Sequence, residues 1–366
     1  MMNILHVTAT HLRPEGGVPV VLKNLVSEQN KLKNCCSKVI SLVAPVDEMK
    51  CLYFEFVKNS ELRHFLLEFN PDVVILHSFF YVEYNSVVKI LLSLNIPYYI
   101  EPHGSFGRKA LQKSYFKKMI ANNTVFRKLI KGAKGFIFLN DSEKNDSKFR
   151  SDYDLIIPNG IDSKKVVEIH NNKENYFYFI GRYDIQHKGL DYFFNALDIL
   201  DKDKFSINIL MYGKGDSITI DFLNKKIKSY SYVNVSLNQS IFGIDKDNQL
   251  EQLGPMILTS RYEGFPMTIL EAWSYGNPCL VTKGTNVYDE VVENGLGWGT
   301  KLDSFEIAST IKKAVYDYQH NREQYILNTK NYVKNRYNWE SIARISLNEL
   351  NKYIHCEHII EQNEVE

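Results

Sequence analysis

Short apolar runs recur along the chain, separated by polar or mixed stretches. They fall at Ile4 to Val7, Val39 to Val43, Val73 to Leu76, Tyr98 to Ile100, Gly135 to Leu139 and Leu155 to Ile157. Runs this short and this continuously apolar predict strands buried on both faces. Helical spacing fills most of the intervals, as from Pro19 to Gln29. Strands alternating with helices predict a doubly wound, parallel α/β sheet. The pattern then restarts with a strand at Tyr176 to Ile180, a helix at Gly189 to Leu200 and a strand at Ser206 to Tyr212. Further strands are expected at Val233 to Ser236, Pro255 to Thr259 and Pro278 to Thr282. The polar stretch His170 to Asn175 separates the two series. The expected organisation is an α/β domain over 1–165, a second over 166–338, and a terminal helix (Trp339 to Tyr353) with an acidic tail over 339–366.

Length agrees with two domains, since 366 residues exceed one ordinary core. A net charge of +1 argues against a nucleic-acid partner. Five cysteines, an odd number without metal-ligand spacing, read as reduced thiols in the cytoplasm. The opening Met1 to Val7 reads as a buried strand and not a signal peptide. No apolar run approaches the roughly 20 residues that span a bilayer, so a soluble or peripheral protein is expected.

Open α/β sheets bind ligands at the carboxyl ends of their strands, and the motifs sit mostly there. After the Pro255 to Thr259 strand comes Ser260-Arg261-Tyr262-Glu263-Gly264-Phe265-Pro266-Met267, then a helix carrying Glu271. The start of a helix offers free backbone N–H groups, which suit a phosphate. Carboxylates there do not favour bare phosphate, so Glu263 and Glu271 should accept from hydroxyls of sugar and ribose. After the Tyr176 to Ile180 strand stand Arg182, a planar fork, and Lys188, a point charge; together they can neutralise a diphosphate. Gly16-Gly17 follow the first strand, and His103-Gly104 follow the Tyr98 to Ile100 strand. The glycine pair is not a GxGxxG fingerprint, so no nicotinamide cofactor is indicated. Asp152/Asp154, Asp201/Asp203 and Asp245/Asp247 read as solvated loop acids, and no metal site is expected.

Glu263 and Glu271, eight positions apart, resemble the Glu-x7-Glu signature of the family 4 retaining glycosyltransferases, and Gly276 to Thr282 is similar to that family's GxPxxxT run. The resemblance covers most of the carboxyl-terminal half. It implies the GT-B fold, two Rossmann-like domains facing a cleft, of the bacterial surface-polysaccharide type. It also implies a retaining, metal-independent transfer of a sugar from a nucleotide diphosphate donor, with no cofactor. By the same resemblance, catalytic roles fall to His103, Arg182, Lys188 and Glu263, with His103 against the transferred sugar. Donor contacts fall to Gly16, Gly17, Gly213, Gly264, Phe265, Pro266, Met267 and Glu271. Pro158-Asn159-Gly160-Ile161-Asp162 resembles a hinge turn, and a UDP-sugar is favoured over a GDP-sugar. The acceptor expected is an oligosaccharide or a lipid-linked glycan. A nucleotide-sugar epimerase and a non-catalytic nucleotide-sugar-binding protein are the alternatives.

The segment 108–134 carries nine basic residues and no Asp or Glu, with apolar residues interleaved. Such a segment predicts contact with an anionic membrane surface. With the family resemblance, it places the expected protein in the cytoplasm, peripheral on the inner membrane face.

Overall fold

The computed structural model describes residues 1–9, 17–43, 53–108, 121–122, 124–162 and 176–354. The chain divides into two units, one of Met1–Gly160 with the chain from Asn338 onward, the other of Ile161–Tyr337.

In the amino-terminal unit the strands are β1 (Met2–Thr8), β2 (Cys35–Ser41), β3 (Phe54–Phe56), β4 (Val73–His77), β5 (Tyr98–Glu101), β6 (Gly135–Phe138) and β7 (Leu155–Ile156). Between them run α1 (Gly17–Gln29), α2 (Leu62–Phe69), α3 (Tyr84–Ser93), α4 (Arg127–Gly132) and α5 (Asp141–Asp146). The strands form one parallel sheet in the order β3-β2-β1-β4-β5-β6-β7. The order reverses beside β1, which puts the ends of β1 and β4 at a topological switch point. Ile4, Leu5, Val7, Val73, Val74 and Leu76 are fully buried, as strands covered on both faces require. His6 and His77 are equally buried in the same strands, and those two polar positions become the centre of a site.

The carboxyl-terminal unit repeats the plan. Its strands are β8 (Tyr176–Ile180), β9 (Ile207–Tyr212), β10 (Val233–Asn238), β11 (Met256–Leu258), β12 (Cys279–Thr282) and β13 (Gly297–Thr300). Its helices are α6 (Ile185–Lys188), α7 (Leu190–Lys202), α8 (Ser217–Ile227), α9 (Gly243–Gln252), α10 (Met267–Ser274), α11 (Tyr288–Glu293) and α12 (Ser304–Arg336). The parallel order is β10-β9-β8-β11-β12-β13. Asp184, Asp216 and Asp303 accept from backbone N–H groups of the first turns of α6, α8 and α12 and so fix where those helices begin. The last helix, α13 (Trp339–Ile354), belongs to the amino-terminal unit and packs on α1. Trp339 lies over Gly160, where an added Cβ would come within 2.5 Å of the indole. The expected α/β class with two Rossmann-like sheets is what the structure has.

Strands β3 and β13 are not among those expected; β3 is a three-residue strand at the sheet edge, half-buried to exposed. In β13 the sequence is Gly297-Trp298-Gly299-Thr300, and Gly297 has φ +145° with Cys279 O 2.0 Å from a hypothetical Cβ, so close strand packing excludes a side chain there. The reading of the Asp-x-Asp pairs as solvated loop acids holds for Asp152 and Asp203, which are exposed in turns, and is corrected for Asp154, Asp201, Asp245 and Asp247. Asp154 is buried and accepts from Phe136 N at 2.9 Å and Ser151 N at 3.0 Å. Asp201 lies in α7 and accepts from Ser231, Tyr232 and Val233 N–H. Asp203 pairs with Lys312, and Asp245 and Asp247 lie in α9. Of the basic segment, 109–120 and 123 lie outside the described residues. In its described part Phe126 and Leu129 pack into the unit's own core while Arg127, Lys128 and Lys131 are exposed. Among the described residues no helix is long and apolar enough to cross a membrane.

Candidate active site

In the carboxyl-terminal unit, β8 and β11 are adjacent and their exits deliver the two charged loops to one place. Lys188, at the end of α6, is buried, and its Nζ donates to Glu263 Oε1 at 2.6 Å. Ser260 Oγ donates to the same oxygen at 2.6 Å. With Oε1 doubly engaged, Oε2 faces the remaining space, 3.7 Å from His187 Nε2. That His187 nitrogen donates to Tyr262 O at 2.8 Å, which leaves Nδ1 to accept from the exposed Arg182 guanidinium at 3.2 Å. Burial lowers the His187 pKa, in keeping with a neutral ring that accepts.

The frame behind these side chains is backbone. Arg261 forks onto Asp191 at 2.8 and 2.5 Å and also reaches Ile185 O and Gln186 O, tying α6 and α7 to the exit of β11. Gly189 takes φ +63° with Thr259 O 2.2 Å from a hypothetical Cβ, so the turn between α6 and α7 admits glycine alone without distortion. Gly213 is as tight, since an added Cβ would meet Gly181 O at 2.1 Å. Asn286, left-handed at φ 61°, donates to Glu263 O and Gly264 O and fixes the carboxylate loop from β12's side. On α10, Glu271 Oε1 accepts from Lys246 Nζ of α9 at 2.6 Å. Phe265 and Pro266 are buried, Phe265 with its ring 5.5 Å from Tyr337, while Gly264 and Met267 are half-buried at the start of α10. A cavity of about 590 Å³ opens beside this frame, lined by Arg182, Tyr183, Gln186, Lys214, Gly215 and Asp216.

In the amino-terminal unit, Gly16 lies outside the described residues. Gly17 begins α1, and a Cβ there would meet nothing within 4 Å. His103 follows β5 with φ 47°, Gly104 has φ 80°, and Ser78, after the neighbouring β4, has φ 68°. Left-handed backbone at two non-glycine residues on adjacent strand ends costs energy that the surrounding structure must hold in place. Glu143 helps to do so, accepting Gly104 N at 2.7 Å and Leu139 N at 2.7 Å.

His103 Nε2 lies 3.2 Å from His77 Nδ1 and its Nδ1 3.4 Å from Glu101 Oε1. His77, in turn, meets His6. Burial lowers the pKa of all three histidines and raises those of Glu101 and Glu143. His77, Glu101 and His103 bring one ligand-type atom each within 4.8 Å of the others. His77 and His103 are hydrogen-bonded to each other, and the Glu101 carboxylate lies at ion-pair distance from both rings.

The sequence places Arg182 and Lys188 in a loop after β8, Glu263 in the loop after β11, Glu271 on the helix that follows and His103 after β5; each stands so except Lys188, which ends the short helix α6. It does not pick out Lys246, Ser260, His187 or Asn286, whose hydrogen-bond partners lie three to 75 residues away or are backbone atoms. It also passed over His6, His77 and Glu143. A visible signal existed for the first two, since a histidine inside an otherwise apolar strand must find a partner.

Residues 161–332 match the model of the glycosyl transferases group 1 family. A lipopolysaccharide 1,6-galactosyltransferase of Salmonella typhimurium is 40% identical over 48 residues, 13% of each chain. A glycogen synthase of Pseudothermotoga lettingae is 26% identical over 168 residues, 44% of this chain and 34% of that one. The matches thus span well under two thirds of those relatives' own length. Among solved structures, Anabaena Alr3699/HepE in complex with UDP and glucose aligns over 96% of this chain and 100% of its own, with a TM-score of 0.70 at 15% identity. Residues 161–332, most of the carboxyl-terminal unit and just under half of the chain, are thus similar to the glycosyl transferases group 1 family, in a chain with the GT-B fold of two parallel Rossmann-like sheets.

Proposed function

We propose that the protein is a glycosyltransferase that moves a hexosyl or N-acetylhexosaminyl group from a nucleotide diphosphate sugar to a glycan acceptor. The observation that carries this reading is the Lys188–Glu263 pair, held at 2.6 Å with Arg182 and Glu271 on the neighbouring loop and helix, inside the segment that matches the family model. A lone carboxylate would repel a diphosphate. Paired to Lys188 and Lys246, Glu263 and Glu271 keep a second oxygen each for hydroxyl donors while the local charge is balanced. Glu263 takes hydroxyls of the transferred sugar and Glu271 those of the ribose. Arg182 and Lys188 hold the diphosphate and stabilise it as it leaves, which is the charge that grows in the transition state.

The finer reading is a retaining, metal-independent transfer from a UDP-sugar. The charge that a metal would supply is assigned to Arg182 and Lys188, and the sequence offers no separate nucleophile. A solved structure of like fold carries UDP and glucose, and a short-range relative is a lipopolysaccharide galactosyltransferase, which supports a lipid-linked acceptor in surface polysaccharide synthesis. The basic segment 108–134 is the proposed contact with an anionic membrane, on the cytoplasmic side.

Incubation of the full chain with radiolabelled nucleotide sugars and a lipid extract tests the reading. Label appearing in the extract supports transfer. Conversion of the donor without an acceptor points to an epimerase, and a rise in melting temperature without turnover to a binding protein.

A further inference from the structure

A line of buried polar groups in the amino-terminal unit runs inward from His103, and its hydrogen bonds can be directed one by one from the inner end. Ser346 Oγ donates to Ala343 O at 2.8 Å, so it accepts from Gln29 Nε2 at 3.0 Å. That fixes the Gln29 amide, whose Oε1 takes Ser37 Oγ–H at 2.7 Å and faces His6 Nε2 at 3.1 Å. His6 therefore carries its proton on Nε2. Its Nδ1, 2.8 Å from His77 Nε2, is an acceptor, so His77 also carries its proton on Nε2. His77 Nδ1 is then a lone pair and receives His103 Nε2–H at 3.2 Å.

The direction is now fixed up to His103, and the count of protons follows. His103 Nδ1 faces Glu101 Oε1 at 3.4 Å, and Glu101 Oε2 faces His77 Nδ1 at 3.3 Å. Bare lone pairs opposed at those distances in a buried site repel. One more proton between Glu101 Oε1 and His103 Nδ1, on the carboxyl or on the His103 ring, relieves that opposition and leaves Glu101 and His103 together with zero net charge, while Glu101 Oε2 still faces the His77 Nδ1 lone pair.

The geometry points to Glu101 and His103 as a single proton-sharing pair, oriented by the chain Ser346–Gln29–His6–His77, that sets the protonation of the strained His103 loop. Glu101, His77 and His6 are positioning residues in this arrangement. A part for this pair in sugar transfer rests on the function proposed above. Facing Glu101 are His77 from β4, with His6 of β1 behind it, and Glu143 from α5, with Asp146 behind that. Burial first, then Glu143, pushes the Glu101 carboxyl up to about 8, while burial holds His103 near 4. The pair keeps its one proton between those limits, and its two steps belong to both groups together.

Two measurements on the full chain test this. Nitrogen-15 NMR of labelled histidines should show His6 and His77 as neutral Nε2–H tautomers at pH 7. An Nδ1–H tautomer at either overturns the inference. The rate of transfer should fall on an alkaline limb near pH 8 as the shared proton is lost. Glu101→Gln keeps a donor that cannot titrate, so it should retain activity within a few-fold at pH 7 and lose the limb. A limb unchanged in Glu101→Gln overturns the inference, as does stoichiometric zinc in the purified chain that disappears in His77→Asn, because a metal would occupy the place of the proton. Should Glu101→Gln fail to fold, the nitrogen spectra of the wild type still decide. They need no turnover, so a chain inactive at every pH with the expected tautomers removes the proposed function and leaves the buried pair standing.

Discussion

The two units share a sheet order around their first strand yet treat charge at the strand ends in opposite ways. In the amino-terminal unit, His6, His77, His103 and Glu101 are buried against one another, and burial drives each towards its neutral form. In the carboxyl-terminal unit, Lys188–Glu263, Lys246–Glu271 and Arg261–Asp191 stand as ion pairs at 2.5 to 2.6 Å. Desolvation governs the first site and pairing the second. The difference suits the proposed chemistry. A diphosphate needs standing positive charge, whereas a sugar, which carries none, needs donors and acceptors whose directions are set.

The sharpest break of this comparison is in the paired site. Lys188→Ala removes the proposed diphosphate ligand and leaves Glu263 half-buried without its cation. We expect kcat/KM to fall by roughly 10²- to 10³-fold, as for loss of one group that stabilises the departing charge. Because the two residues act as a unit, Lys188→Ala with Glu263→Ala should be little worse than the more damaging single change. Full additivity in a double-mutant cycle would separate them.

Next comes the division of labour between the two carboxylates. If the proposed roles hold, Glu263→Ala should mainly lower kcat, since the proposed sugar contacts of Glu263 matter most as the sugar becomes cationic, and Glu271→Ala should mainly raise KM for the donor. Equal small effects on both parameters in both variants would contradict the roles.

Acid should act on the buried site. The folded pKa of His6 is depressed from 6.5 to about 4, so the unfolded chain binds more protons in that window. Stability is then fully present above pH 6.5 and is lost as pH falls through 4, with His77 and His103 adding in the same direction. Glu101 has the opposite sign: its raised pKa contributes stability below its unfolded value that is lost as pH rises through about 8. Denaturant melts from pH 4 to 9 should show stability rising to about 6.5 on the histidine term, and Glu101→Gln should flatten the decline on the alkaline side. A His6→Gln variant with an unchanged acid limb would sink the first half.

Smaller still is Asp154→Ala, which leaves the N–H groups of Phe136 and Ser151 without their acceptor. A loss of about 1 to 3 kcal/mol is expected, read as a lower denaturant midpoint. Had Asp154 been a solvated loop acid, the midpoint would not move. The smallest expected effect is that of EDTA, which should leave transfer unchanged. Loss restored by Mn²⁺ would remove the proposed role of Arg182 and Lys188 as the cation.

Much of the paired site was legible in the chain because its parts are local. Glu263 and Glu271 lie on one strand-loop-helix, and Arg182 and Lys188 on another. Their partners were not legible. Lys246 meets Glu271 only because α9 packs beside α10, and Asn286 reaches Glu263 O only because β12 lies next to β11. In the other unit the sequence showed His103-Gly104 and little else, since the chain from Ser346 to His103 crosses β1, β4, α1 and α13.

The sequence by itself determined the alternation of buried strands and helices, the restart at Tyr176, and the cations and carboxylates that follow strands β8 and β11. These are properties of neighbours in the chain, where apolar period and turn chemistry act directly. Tertiary structure decided which charges are paired, which histidines are neutral, and which way each hydrogen bond runs. Those depend on desolvation and on partners up to 317 residues away, and a strand's buried face reveals its polar contacts only when the sheet order has set β1 beside β4.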